Sequence, residues 1–248
     1  MTEELKDKVV LITGGSRGMG KEMAHAFARH GAQVIVASRK YDNCKALADT
    51  LSAEYGVRAL PVGVNVSDWD DCDALISTAY REFGRVDVLV NNAGISPHYP
   101  SLDQVSEALF DKVVAVNLKA PFRLASVIGT RMAEGDGGAI INIGSIEAIR
   151  PQANALPYAA AKAALHTLTE GLAQAFGPKV RVNTIQAGPF LTDISAHWQD
   201  GQQEHMESLV ALGRCADPEE IVGATLFFAT SASSYCTGAV LRVDGGWK

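Results

Sequence analysis

Short apolar runs and amphipathic stretches take turns along this chain. Lys8-Val-Val-Leu-Ile-Thr13 has strand length, and a helical spacing of apolar residues follows through Ala24, Phe27 and Ala28. Gln33-Val-Ile-Val-Ala37 is a second strand. Beyond it the pattern predicts a helix from about Asp42 to Tyr55, a strand over Ala59 to Val64, a helix over Asp68 to Phe83 and a strand over Val86 to Val90. Ser67 or Asp68 suits the cap of the third helix, because a short side-chain oxygen accepts from the first free N–H groups. A helical stretch from Leu109 to Leu124, a strand through Ile140-Ile-Asn-Ile-Gly144, an alanine-rich helix around Tyr158 and a last strand over Ala239 to Val243 continue the series.

Strand and helix alternating at this interval build a parallel sheet with right-handed crossovers and helices on both faces, a doubly wound α/β fold. Ligands bind such sheets beyond the carboxyl ends of the strands. Asn65-Val66, Asn91-Asn-Ala-Gly94, Ser145 and Gly188 therefore belong on one rim. No linker or shift in composition divides the 248 residues, so 1–248 reads as a single domain.

Composition narrows the function classes. The net charge is −6 and the basic residues are scattered, which argues against a nucleic-acid partner. The charged start leads directly into a strand, without the apolar centre of a secretory signal, and the apolar runs fall short of a membrane span. A cytoplasmic location with no membrane partner is the expectation. Cys44, Cys72, Cys215 and Cys236 lack CxxC spacing and the six histidines form no HExxH, so no metal site is expected.

Candidate chemistry begins at the glycine turn Gly14-Gly-Ser-Arg-Gly18-Met-Gly20, between the first strand and its helix. Glycines let a backbone approach a pyrophosphate, and a helix start offers free N–H groups and a positive dipole end. Glu22 stands where a nucleotide-hydrolysing P-loop needs Ser or Thr for Mg²⁺, which discounts that reading. Ser38 ends the second strand where NAD-binding folds carry an acid for the adenosine ribose, and Arg39 follows. With Arg17 in the turn, this edge favours the extra phosphate of NADP, leaving NAD as the alternative. Tyr158 and Lys162 stand four apart, on one face if helical, and an ammonium close to a phenol favours its ionisation. Alone, each feature has a plainer reading: Asn117 as a satisfied polar residue, Ser145 as a strand-end serine, Asn91-Asn-Ala-Gly94 as a turn.

Together, Thr13-Gly-Gly-Ser-Arg-Gly-Met-Gly20, Asn91-Asn-Ala-Gly94, Asn117, Ser145, Tyr158-x-x-x-Lys162 and Val243-Asp-Gly-Gly-Trp247 resemble the short-chain dehydrogenase/reductase family almost end to end. The resemblance implies a Rossmann-type domain in which Tyr158 is the acid/base, Ser145 binds the substrate oxygen, Lys162 binds the nicotinamide ribose and lowers the Tyr158 pKa, and Asn117 holds a relay water. It implies that Gly14, Ser16, Arg17, Gly18, Met19, Gly20, Ser38, Arg39, Asn65, Val66, Asn91, Ala93, Gly94, Gly188 and Thr192 hold the cofactor together with Tyr158 and Lys162. Three positions depart from the family pattern or strain it. Asn65 replaces a frequent Asp beside the adenine, Ala187-Gly188-Pro189 replaces the usual Pro-Gly order, and Thr192 matches a nicotinamide contact of relatives after that altered turn.

Residues 189–213 are expected to form a substrate lid. Ser96, His98, Tyr99, Glu147, Gln152, Asn154, Phe190 and Trp198 are candidate pocket residues. The resemblance also implies a homotetramer, with the Asn117 and Tyr158 helices in one interface and the last strand in another. The expected activity is NADP(H)-dependent oxidoreduction of a small ketone or secondary alcohol, with a 3-oxoacyl thioester as first substrate. A sugar, polyol or other alcohol is the alternative, and a dinucleotide-sensing binding protein is the non-enzymatic one.

Overall fold

A computed structural model describes residues 4–192, 195 and 201–248. In chain order the elements are β1 (Val9–Thr13), α1 (Gly18–Arg29), β2 (Gln33–Ser38), α2 (Tyr41–Tyr55), β3 (Ala59–Gly63), α3 (Trp69–Phe83) and β4 (Val88–Asn91). After them come α4 (Glu107–Val114), a π-helical turn (Ala115–Lys119), α5 (Ala120–Glu134), β5 (Gly138–Ser145), α6 (Leu156–Phe176), β6 (Val180–Ala187), α7 (Gln202–Ser208), α8 (Val222–Ala229) and β7 (Val240–Val243).

The strands form one parallel sheet of seven in the order β3-β2-β1-β4-β5-β6-β7, the doubly wound arrangement that the alternating pattern predicts. Successive residues of a strand face opposite sides, and both sides are covered. Val9 and Leu11 pack with Leu75, Leu124, Ile128 and Leu172 of α3, α5 and α6. Val10 and Ile12 pack with Met23, Phe27, Leu51 and Phe228 of α1, α2 and α8. Each such side chain contributes roughly 1.5–3 kcal/mol when fully buried.

The strand order reverses between β1 and β4, which opens a crevice at their carboxyl ends. Thr13 Oγ1 accepts from the Asn92 and Ala93 amides at 3.1 Å each. Asn92 Nδ2 donates back to the Thr13 carbonyl at 2.9 Å and to the Gly14 carbonyl at 3.1 Å. The two loops that floor the crevice are thereby locked together.

Two local expectations resolve differently in detail. Asp68 caps α3, accepting from the Asp70 and Asp71 amides, while Ser67 turns its hydroxyl to Asn65 Oδ1. The helix expected over 109–124 is longer, running Glu107–Glu134 with the π turn in its middle. Pro121, which has no N–H to donate, follows that turn, so a wide turn is tolerated there. By length and composition this joined helix is long and apolar enough to cross a membrane, unlike the shorter runs read from the sequence. Half of its apolar window is buried in the molecule, where α5 packs on α3 and α6, as in a core helix.

Candidate active site

A cavity of about 630 Å³ opens at the carboxyl ends of the strands. Its floor is the glycine turn. Gly18 has φ +50°, a left-handed value that a glycine adopts freely, and a Cβ on Gly20 would strike the Gly14 carbonyl. The first turn of α1 carries no acid and no side-chain cap, so its N–H groups face the cavity end without a competing anion. Gly14, Ser16, Arg17, Gly18, Met19 and Gly20 all line the cavity. Thr192 lies beside Gly18, 3.5 Å from where a Cβ would stand.

At the β2 end, Ser38 Oγ lies 2.8 Å from Ser16 Oγ and 3.2 Å from Cys44 Sγ. Arg39, exposed Lys40 and Asn43 continue this wall; the last two were missed in the sequence, although Lys40 extends the same basic run. Asn65 and Val66 line the neighbouring wall. Asn65 Oδ1 accepts from Ser67 at 2.8 Å, and Ser67 in turn accepts from Lys112 Nζ at 2.6 Å. Lys112 lines the cavity from α4, and nothing in its helical spacing marked it.

The opposite end gathers Ser145, Tyr158 and Lys162. Pro157 near the start of α6 suits a helix N-terminus, and Tyr158 and Lys162 follow on one face. Lys162 is 3% exposed and donates to the Ile143 carbonyl at 2.6 Å. Burial lowers its pKa to about 8. Tyr158 is half-buried and opens on the cavity, with Lys162 Nζ 5.7 Å from its ring centre. Burial raises its pKa to about 12, a hydrogen bond with Ser145 pulls the other way, and the charge of Glu147 adds to the rise. Lys162 is not among the causes that move it, so the lowering expected from the lysine is not found in this chain by itself, and Tyr158 is a protonated phenol at neutral pH.

Ser145 ends β5 and is 8% exposed. Its Oγ accepts from the Glu147 amide at 3.2 Å. Asn117 sits in the π turn with no exposed surface, so it stands behind the cavity instead of lining it. It clasps Ile95, accepting from the amide at 3.3 Å and donating to the carbonyl at 2.9 Å. A Cβ on Gly94 would lie 3.1 Å from Asn117 Oδ1 and 3.8 Å from Lys162 Nζ, so both side chains converge on that glycine.

Ala93, Gly94, Ser96, His98, Glu147, Gln152, Asn154, Gly188, Phe190 and Thr192 line the cavity. Asn91 does not: its side chain turns inward, donating to Asn142 Oδ1 at 2.9 Å, and Asn92 is its lining neighbour. Tyr99 also stays outside the lining and binds the Ala153 carbonyl and the Leu156 amide. Trp198, together with part of the expected lid, lies outside the described residues. Gln202 and Met206, described residues of the segment expected as a lid, line the cavity, as does Trp247 from the terminal motif. Trp247 had a signal in that motif; Gln202 and Met206 had none beyond their place in the lid.

The model of a family described as enoyl-(acyl carrier protein) reductase matches residues 14–248. L-rhamnose 1-dehydrogenase (NAD(P)(+)) of Azotobacter vinelandii is 39% identical over 249 residues, covering 98% of this chain and 97% of that one. A 3-oxoacyl-[acyl-carrier-protein] reductase of Chlamydia muridarum is 38% identical over 247 residues and 99% of both chains. L-sorbose reductase from Gluconobacter frateurii, solved with NADPH and L-sorbose, superposes with TM-score 0.92 at 30% identity, over 100% of this chain and 98% of that one. Likeness of sequence over the whole length and likeness of fold agree, and the chain belongs to the short-chain dehydrogenase/reductase family, the NAD(P)-dependent oxidoreductases of CH–OH and C=O groups.

Proposed function

We propose that this protein is an NADP(H)-dependent reductase of a small ketone, and dehydrogenase of the matching secondary alcohol. The observation that carries the reading is one cavity with a phosphate cradle at one end and Ser145, Tyr158 and Lys162 at the other. The residues present fit a dinucleotide: no side chain fills the cradle at Gly20, and Arg39 and Lys40 flank Ser38, where an acid would repel a 2′-phosphate. The bound cofactor supplies the hydride. Gly14, Ser16, Gly18, Met19 and Gly20 hold its pyrophosphate, with Arg17 and Arg39 for the 2′-phosphate. Asn65 and Val66 would hold the adenine, and Ala93, Gly94, Gly188 and Thr192 the nicotinamide half, since all of them line the cavity.

The Tyr158 phenol donates its proton to the substrate oxygen as negative charge gathers there, and Ser145 donates a hydrogen bond to the same oxygen. Lys162 keeps an ammonium beside them and binds the ribose. Asn117 fixes the Ile95 peptide and offers a route by which a water passes protons from Lys162 to solvent. Residues 1–248 act as one domain in the cytoplasm, closed over substrate by 189–213. Exposed Phe110 and Phe122 on α4 and α5, with Val240 and Leu241 on the sheet-edge strand β7, support a homotetramer.

Relatives named for L-rhamnose and L-sorbose bring the sugar or polyol reading level with the 3-oxoacyl thioester one. A dinucleotide sensor has no use for the proton-transfer set. The test is nicotinamide absorbance with a ketone and alcohol panel, both cofactors and both directions. Turnover that falls at least about 100-fold in Tyr158→Phe, with NADPH binding retained, supports the reading. NADPH binding without turnover, and a Tyr158→Phe protein no different from its parent, overturns it.

A further inference from the structure

Among the described residues that line the cavity, Glu147 carries the one carboxylate. Its main chain is tied to the chemistry, because its amide donates to Ser145 Oγ. Its Oε2 accepts from the Gln152 amide at 2.8 Å, whereas Oε1 accepts nothing from the described residues. The side chain is half-buried, and desolvation lifts its carboxyl above the usual carboxylate range. The ammonium of Lys162 donates instead to Ile143. Oε1 keeps solvent contact at the cavity wall, so a donor on a bound molecule that reaches it takes the place of water there.

The wall that carries this carboxylate is braced. The Tyr99 phenol donates to the Ala153 carbonyl at 2.7 Å and accepts from the Leu156 amide at 2.9 Å. This clamp joins the Ser96–His98 side of the cavity to the Gln152–Asn154 side and to the first turn of the Tyr158 helix. Glu147 therefore presents a fixed acceptor within electrostatic reach of Tyr158, whose phenol feels its charge.

We propose that Glu147 is the specificity residue of the substrate subsite: its Oε1 accepts a hydrogen bond from a hydroxyl on the carbon next to the reacting carbonyl, so the substrate is a neutral hydroxy ketone or its vicinal diol. The hydroxyl is bound and not transformed; hydride and proton go to the carbonyl alone. A substrate carboxylate or phosphate at the same place faces like charge and is rejected. This inference rests on the oxidoreductase reading above.

The test measures kcat/KM with NADPH for acetoin, butanone and pyruvate, in the parent, Glu147→Gln and Glu147→Ala. NADPH binding by fluorescence checks each variant, and the glutamine variant keeps the side-chain shape should the alanine one fail to fold. The parent should favour acetoin over butanone by tenfold or more, on the order of a charge-assisted hydrogen bond. In Glu147→Gln that gap should shrink to about threefold or less, because acetoin loses more than butanone, and pyruvate should gain relative to butanone. Equal kcat/KM for acetoin and butanone in the parent, or equal losses for both in the variant, overturns the Glu147 assignment while leaving the oxidoreductase reading intact. Absence of turnover with every ketone and alcohol, under either cofactor, overturns that reading and the inference with it.

Discussion

The two ends of the cavity are built by different means. The dinucleotide end is made of backbone: a glycine turn, a helix start and two loops locked by Thr13 and Asn92. The reacting end is made of side chains drawn from β5, α6, the π turn and loops far apart in sequence, and it buries a lysine and half-buries a carboxylate. Backbone geometry tolerates no added atom, whereas a side-chain wall can be remodelled one group at a time. The first end should thus be brittle and common to many substrates, and the second adjustable.

The largest effect expected from this contrast is at Gly20. In Gly20→Val the new atoms meet the Gly14 carbonyl and Asn92 Nδ2, and the former is backbone that cannot turn away. NADPH affinity measured by fluorescence titration should drop by roughly a hundredfold, the scale of a few kcal/mol of overpacking. An unchanged affinity would show that the turn is not the cradle.

A pH experiment addresses the other end. Folding drives the Lys162 pKa from 10.5 to about 8, so the folded state binds fewer protons than the unfolded state between those values. Stability owed to this residue therefore rises with pH across that window. Chemical denaturation of the parent and of Lys162→Met, at pH 7 and pH 10, should show the difference moving in the parent's favour by about 2.5 kcal/mol. A difference independent of pH would mean that the buried ammonium carries no such cost.

Arg39→Ala should raise the Kd for NADPH about tenfold and leave NADH nearly untouched, since one charge-assisted contact is lost. Equal losses for both cofactors would remove the phosphate role. The smallest effect is expected at Tyr99→Phe, which deletes the hydroxyl that joins the Ala153 carbonyl to the Leu156 amide. Loss of that clamp should raise KM by about fivefold and leave the Kd for NADPH in place. A matching loss of cofactor affinity would show that the two ends are coupled through this loop.

Most of the dinucleotide end was legible in the chain because its determinants are local. A strand, a glycine turn and a helix start are neighbours in sequence, and their period and punctuation announce them. The rim residues Asn65, Gly94, Ser145 and Gly188 were placed by the strand-end rule alone. Asn91 was misplaced by one residue of register: in a strand, alternate side chains face opposite ways, and it is Asn92 that reaches the cavity. Lys112 and Gln202 arrive from distant segments, and nothing in their neighbours marks them as cavity residues.

Sequence by itself determined the doubly wound class of sheet, the glycine turn, the basic edge at Ser38-Arg39 and the Tyr158/Lys162 pair, since each rests on period, spacing or residue type. Tertiary structure alone decided the balance of charge at the reacting end. Burial pushes the Tyr158 pKa up and the Lys162 pKa down, and how much water each group loses is set by packing and not by residue type or spacing. It also decided that Glu147 lines the same cavity as Tyr158 with one oxygen held by the Gln152 amide, because solvent loss and hydrogen-bond pairing are set by the packing of the whole fold.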